Sequence, residues 1–395
     1  MKKKTKMGNK IVNLVLVAAL LVFGTVGCGN SNSDTKNENA ETDTKTEAET
    51  TEDDSSGSVQ VGIVLPTKDE PRWIQDETRF GEILDEAGFT YQVLFSQGSS
   101  ATEKTNVETL VSKGMEVLII CPHDTAAVGS TVEIAQEAGV TVIGYDRLIT
   151  DTEAVDYNVG FDSKSVGVAQ GEFLIEQASG TGNPLYLYAG ALSDENAFVF
   201  FEGAWSVLQP KIADGTFVIK NSSEAEKVQD TLELTRDQQA AILGQITTDW
   251  DFNTAKSKAE SDLTSASAED KGEVFILAPN DGTARSIADV FATDKDVTKY
   301  YITGQDAEQA SIQYIIDGKQ SMTVLKDTRT LTDAAVAMTK QILNGEEVET
   351  NAVFDNGAKE VPMYQLPVIS VTQESVKADI FDSEYYDIAD FTGIE

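Results

Sequence analysis

The chain is poor in the residues that most enzymes rely on. Its 395 residues include one His and two Cys, so there is no Cys-x-x-Cys pair for zinc and no nucleophilic triad except around His123. Positive charge is also scarce. Thirty Lys plus Arg stand against 66 Asp plus Glu, a formal net charge of −36, and such a field repels a phosphate backbone and excludes nucleic acid as a partner. No calcium loop is present either, because Asp294-Lys295-Asp296 lacks the Gly and the distal Glu that one requires. No metal or other cofactor is therefore implied. What the chain does have is apolar mass, 41 % of its residues, enough for more than one core, and two domains is the starting expectation.

No apolar run reaches the roughly 20 residues that a membrane-spanning helix needs. The longest, Ile11 to Phe23, follows Lys2, Lys3, Lys4, Lys6 and Lys10 and closes on Thr25-Val26-Gly27-Cys28. This basic region, short apolar stretch and small-residue end resemble a lipoprotein signal peptide, with Thr25 where Leu is usual. The resemblance implies cleavage of residues 1–27 and a lipid on Cys28, which would anchor an extracytoplasmic protein to the cell membrane. Cleavage removes five Lys and no acid, deepening the charge to −41. Residues 28–58 hold nothing apolar larger than Ala after the Cys. They read as a disordered acidic tether with a span of about 30 Å.

From Val59 the pattern alternates between strand and helix. Val59–Leu65, Tyr91–Phe95, Val117–Cys121 and Thr141–Tyr145 read as strands, separated by helical spacing over Ile74–Ala87, Thr105–Lys113 and Ala126–Ala138, each helix stopping at a Gly. Three such units call for a parallel sheet with right-handed crossovers and helices on both faces. The alternation resumes with a helix at Val166–Glu176 and runs to a strand at Ser321–Leu325. The fold class predicted is α/β, with two doubly wound parallel-sheet lobes.

In such sheets ligands sit beyond the carboxyl ends of strands. The polar residues at those positions are Lys68, Arg72, Trp73, His123, Asp124, Asp146, Arg147, Asp194 and Asn196 in the first part. In the second part they are Trp250, Asn280, Asp281, Gln305, Asp306, Lys326 and Asp327. Carboxylates and amides that accept, guanidinium and ammonium groups that donate, and Trp faces for C–H surfaces together suit a neutral polyol. Asp281 fits a helix cap or a ligand contact equally. His123 reads as a loop residue beside the pocket and Cys121 as a buried free thiol.

Five segments carry a family resemblance: GIVLPTKDEPRWIQD at 62–76, GYDRLI at 144–149, YNVGFDSKSVGVAQ at 157–170, APNDGTA at 278–284 and GQDAE at 304–308. From about Val61 to Pro367 the chain resembles the xylose-binding and multiple-sugar-binding proteins of ABC sugar importers, which have the type I periplasmic-binding-protein-like fold. The resemblance implies sugar contacts from Arg72, Trp73, Asp124, Asp146, Arg147, Asn196, Trp250, Asn280, Asp306 and Lys326. It also implies three hinge crossings, near Asp162, Lys326 and Leu366. The lobes would then be 59–162 plus 327–366, and 163–326 plus 367–395, with the helix Leu331–Leu343 returning to the first. The expected function is capture of a monosaccharide (xylose, glucose or galactose) by a monomer that delivers it to a membrane permease. The alternative is a sensor presenting its closed form to a chemoreceptor or histidine kinase. An enzyme is not expected, since Asp146 and Asp306 flanked by Arg and Lys would have depressed pKa values, whereas a glycosidase acid needs a raised one.

Overall fold

The computed structural model describes residues 58–394. The expected signal peptide, Cys28 and the tether through residue 57 lie outside the described residues. The chain begins with β1 (Val61–Leu65), α1 (Pro71–Ala87), β2 (Tyr91–Phe95), α2 (Ser100–Ser112), β3 (Val117–Ile120), α3 (Gly129–Glu137), β4 (Thr141–Tyr145) and β5 (Tyr157–Phe161). It continues through α4 (Ser163–Gln177), β6 (Asn183–Leu187), α5 (Glu195–Ala213), β7 (Phe217–Ile219), α6 (Ser223–Lys227), α7 (Arg236–Ile246) and α8 (Phe252–Ser265). Then come β8 (Gly272–Leu277), α9 (Asp281–Thr293), β9 (Val297–Ile302), α10 (Gln309–Ile316), β10 (Met322–Leu325), α11 (Thr328–Asn344), β11 (Ala352–Asp355), β12 (Glu360–Leu366) and β13 (Ile369–Thr372).

The strands form a seven-stranded sheet in the order β11-β12-β5-β4-β3-β1-β2, a four-stranded sheet β7-β6-β8-β9 and a two-stranded ribbon β10-β13. Within the larger sheet only β11 and β12 run antiparallel; the four-stranded sheet is parallel throughout. This is the doubly wound arrangement that the alternating pattern predicts, with one antiparallel hairpin added at an edge.

Apolar residues cover both faces of each sheet, as parallel sheets require. On one face of the seven-stranded sheet Phe80 and Leu84 of α1 and Leu331 and Val336 of α11 pack on Ile63, Ile119 and Tyr145. On the other, Val107 and Leu110 of α2 and Val132 of α3 meet Val64, Leu118 and Val142. A side chain buried as fully as Phe80 contributes about 1.5–3 kcal/mol. α1 starts with Pro71 in the first turn, where its missing N–H costs nothing, and stops at Gly88, whose φ of 75° closes the helix. Around the four-stranded sheet α4 and α5 cross with backbones almost in contact. A Cβ on Gly167 would overlap the Phe200 carbonyl, and one on Gly203 would overlap the Lys164 carbonyl.

Several helices, α4 and α5 among them, start earlier than apolar spacing predicts, because capping residues add a polar first turn, whereas α3 starts later, at Gly129. Asp162 caps α4 and accepts from Ser165 N; Asp194 caps α5 and accepts from Asn196 N. Sequence patterning misses β5, α6, α7 and β11–β13. In α7 the buried Ile242, Leu243 and Ile246 are preceded by a polar stretch held by a capping box of Thr235 and Gln238. Strand β12 pairs with β5, some two hundred residues earlier in the chain, a partnership that no local pattern encodes. Cys121 is buried and free, and burial pushes its thiol well above the usual range.

Candidate functional site

The polar residues singled out by position converge on a cavity where carboxyl ends of the two parallel sheets face each other. Its walls include Arg72, Trp73, Asp146, Arg147, Asn196, Trp250, Asn280, Asp306 and Lys326. Arg72 and Trp73 stand in the first turn of α1, just beyond β1. Asp146 and Arg147 follow β4, Asn196 stands in the first turn of α5, Asp306 follows β9 and Lys326 follows β10.

At the centre two cations bridge two carboxylates. Arg72 donates through Nη2 to Asp146 Oδ2 at 2.7 Å and through Nη1 to Asp306 Oδ1 at 3.2 Å. The Lys326 Nζ lies 3.2 Å from Asp146 Oδ2 and 3.4 Å from Asp306 Oδ1. All four side chains are buried. Burial alone would raise the Asp146 carboxyl, but the charges of Arg72 and Lys326 outweigh it and hold Asp146 well below the usual carboxylate range. One turn along α1, Asp76 lies 3.7 Å from Arg72 and accepts from the Tyr145 hydroxyl at 3.0 Å; burial nevertheless pushes its carboxyl up to about 6.

A second pair flanks the first. Arg147 Nε lies 3.0 Å from Asp194 Oδ2, while its Nη1 donates to the Pro122 carbonyl at 3.1 Å. Both guanidinium groups sit near the Trp73 ring, Arg72 at 4.8 Å and Arg147 at 5.5 Å from its centroid. Asn196 accepts from Ser163 Oγ at 2.9 Å and donates to the Asp146 carbonyl at 3.1 Å, tying α5 to the loop after β4. Asn280 caps α9 by accepting from Thr283 N at 3.3 Å, which leaves its amide N–H groups as what it offers the cavity.

Three walls depend on backbone that only a strongly constrained loop sustains. Asp146, Trp250 and Asp306 all have positive φ, at 60°, 59° and 96°. Non-glycine residues there cost of order 1–3 kcal/mol each and persist when the surroundings over-determine them. Trp250 is wedged against Gly190, where a Cβ would overlap the indole, and it meets Phe200 edge to face at 6.4 Å. Arg72 Nε, Trp250 Nε1 and Gln305 Oε1 are buried polar atoms without a hydrogen-bond partner among the described residues, a state that favours arrival of a polar ligand.

Asp124 stands elsewhere. Its carboxylate accepts from the backbone N–H groups of Ala126 and Ala127 at 3.1 and 2.8 Å, and it lines a separate cavity with Glu195, Arg236 and Asn356. A loop Asp that closes its own turn is the outcome local chemistry favours. Asp281 is neither the cap, which is Asn280, nor a wall of the cavity; it is fully buried beneath the loop that carries Asp306. His123 is a half-buried loop residue outside this cavity.

The cavity also holds Glu70, Asp194, Phe200 and Gln305. Asp194 and Gln305 are legible in the sequence as polar residues after strands. Glu70 is not, since it precedes Pro71 as an ordinary-looking helix start. Burial pushes its carboxyl up to about 7 against the pull of Arg147.

The chain matches the family model described as periplasmic binding protein domain over residues 61–347, and it belongs to that family. It is 33 % identical to the multiple sugar-binding periplasmic protein SbpA of Azospirillum brasilense, covering 84 % of this chain and 90 % of that protein. It is 26 % identical to the D-xylose-binding periplasmic protein of Escherichia coli, over 83 % of this chain and 91 % of that one. Among solved structures, it is similar to a carbohydrate transporter solute binding protein from Chloroflexus aurantiacus in complex with D-glucose. The two share 64 % identity and a TM-score of 0.84, covering 85 % of this chain and 99 % of the other.

Proposed function

We propose that this chain is the extracytoplasmic sugar receptor of an ABC importer, capturing one neutral aldose of the glucose, xylose or galactose type and presenting it unchanged to a membrane permease. The observation that carries the reading is the pair of cations, Arg72 and Lys326, each set between Asp146 and Asp306. Each sugar hydroxyl donates and accepts at once, and alternating carboxylates and cations meet both needs with charge-assisted bonds. The low pKa of Asp146 keeps it an acceptor rather than a proton donor, which suits retention of the sugar over hydrolysis. Similarity to proteins named for sugar binding, and to a structure holding D-glucose, supports the same reading.

The lobes of this proposal are residues 59–162 plus 327–366 and residues 163–326 plus 367–395, closing about crossings near Asp162, Lys326 and Leu366. Asp162 N donates to the Leu366 carbonyl at 2.9 Å, so two of the crossings run side by side, as a hinge needs. The receptor acts as a monomer held to the membrane by lipid on Cys28.

Calorimetric titration of the mature protein against pentoses and hexoses tests the reading. Micromolar or tighter binding of at least one aldose, about −8 kcal/mol, with the sugar recovered intact, is the expected result; no heat with any of them would refute it. The anchor has its own test. Cys28→Ser is expected to leave sugar affinity unchanged, because roughly 30 residues separate it from the fold, while moving the protein from the membrane to the soluble fraction. Continued lipid labelling of the Ser variant would overturn the lipoprotein assignment.

A further inference from the structure

Beyond the cavity of the candidate site lies a larger one open to solvent, and the two share Glu70, Arg147 and Trp250 as a common rim. We propose that this outer cavity receives a second, neutral sugar ring, so that the receptor binds a disaccharide with one ring in each cavity. The proposal rests on the monosaccharide reading of the inner site and extends it.

The outer cavity shares the carboxylates, amides and aromatic rings of the inner one, without its central pair of cations, and is built from the same two sides. Thr67 and Asp69 come from the loop after β1, Gln97 from the loop after β2, and Asp251, Phe252 and Asn253 from the start of α8. Phe252 and the shared Trp250 supply aromatic surface for C–H faces, and the amides and hydroxyl supply two-way hydrogen bonding. Apart from Arg147 the one basic side chain that lines it is His123, which burial keeps towards its neutral form, and Arg147 is already held by Asp194 and the Pro122 carbonyl. A uronic or phosphorylated ring would thus meet Asp69, Asp249 and Asp251 with no free cation to offset them. Those carboxylates are partly occupied from within: Asp251 accepts from Thr254 N at 2.7 Å, and Asp249 accepts from Thr247 Oγ1 at 2.9 Å. What remains for a ligand is hydroxyl recognition, not neutralisation of a cation. Trp250 fixes the boundary, because its indole is held between Gly190, where a Cβ would overlap it, and the ring of Phe200.

The test is calorimetric titration of wild type with glucose and xylose beside maltose, cellobiose and gentiobiose, which present the second ring at different angles. At least one disaccharide is expected to bind within about tenfold of the best monosaccharide. Asn253→Trp places an indole in the outer cavity at an exposed helix position. It is expected to weaken that disaccharide tenfold or more while leaving the monosaccharide within threefold. Monosaccharide binding with every disaccharide at least a thousandfold weaker would overturn the proposal and leave the monosaccharide reading standing, as would a disaccharide affinity untouched by Asn253→Trp. Failure of every sugar to bind would overturn both.

Discussion

An Asp306→Ala variant is expected to fold normally and to bind sugar roughly 30- to 1000-fold more weakly than wild type, a loss of about 2–4 kcal/mol. The two halves of that expectation have separate causes. In the unliganded protein the variant leaves neither central cation alone, since Arg72 keeps its 2.7 Å bond to Asp146 and Lys326 its 3.2 Å contact with the same carboxylate. The two cations then share one carboxylate, so the fold loses an acceptor and one compensating charge, but it holds no wholly unpaired cation, which is what makes breaking a buried pair so costly. The ligand fares worse. Asp306 is the carboxylate supplied from the loop after β9, on the four-stranded side, whereas Arg72 and Asp146 come from the seven-stranded side. Without it a buried hydroxyl has no charged acceptor on that side, and the sugar gains less from closure of the cleft, so less of the hinge equilibrium is shifted. Calorimetry gives the affinity and small-angle scattering the compaction. Wild type should become more compact on saturation, and the variant should need far more sugar to do so. An affinity within threefold of wild type would remove Asp306 from the site.

The parts of this molecule legible in its sequence are those in which a residue's neighbours in the chain are also its neighbours in space. Alternation of apolar runs and helical spacing marks most strands and helices, and a functional residue one step beyond a strand, such as Asp146 after Tyr145 or Lys326 after Leu325, can be picked out by position alone. Three kinds of feature escape. One is non-local pairing: that β12 lies against β5 is set by a sheet edge hundreds of residues away, and only the family resemblance suggests where the chain returns. Another is backbone conformation at single positions. Nothing in the local composition says that Asp146, Trp250 and Asp306 take positive φ, although this aims each into the cavity. The last is division of labour among similar residues. Asp124, Asp281 and Asp306 all follow strands and look alike in sequence, yet one closes its own turn, one is buried under a loop and one walls the cavity.

Asp281 carries the second large expected effect. Its Oδ1 accepts from Gln320 Nε2 at 2.7 Å and Thr323 Oγ1 at 2.8 Å, its Oδ2 accepts from Glu308 N at 2.8 Å, and its own N–H donates to the Gln305 carbonyl at 3.0 Å. Those bonds clamp the loop in which Asp306 and Ala307 both hold positive φ, 96° and 51°. Asp281→Ala leaves the Glu308 N–H and the Thr323 hydroxyl without an acceptor and Gln320 Nε2 with only the Met322 carbonyl, and should cost about 2–4 kcal/mol in urea unfolding. Because the clamp positions Asp306, sugar affinity should fall at least tenfold in the fraction that remains folded. Asp281→Asn keeps the shape and one carbonyl acceptor, so its losses should be clearly smaller on both measures. The pH dependence supplies a check that packing alone would not move. Burial, reinforced by the nearby Glu308, pushes the Asp281 carboxyl well above the ordinary range. The folded state thus holds a proton that the unfolded chain releases, and the group's contribution, full below the unfolded pKa of about 3.8, is lost as pH rises through the folded pKa. Wild type should show this decline in stability towards higher pH, and Asp281→Asn, which has no proton to release, should show a flatter profile over the same window. An Ala variant within 0.5 kcal/mol of wild type, or parallel pH profiles for wild type and Asn, would mean that Asp281 does not hold the loop in the way its hydrogen bonds imply.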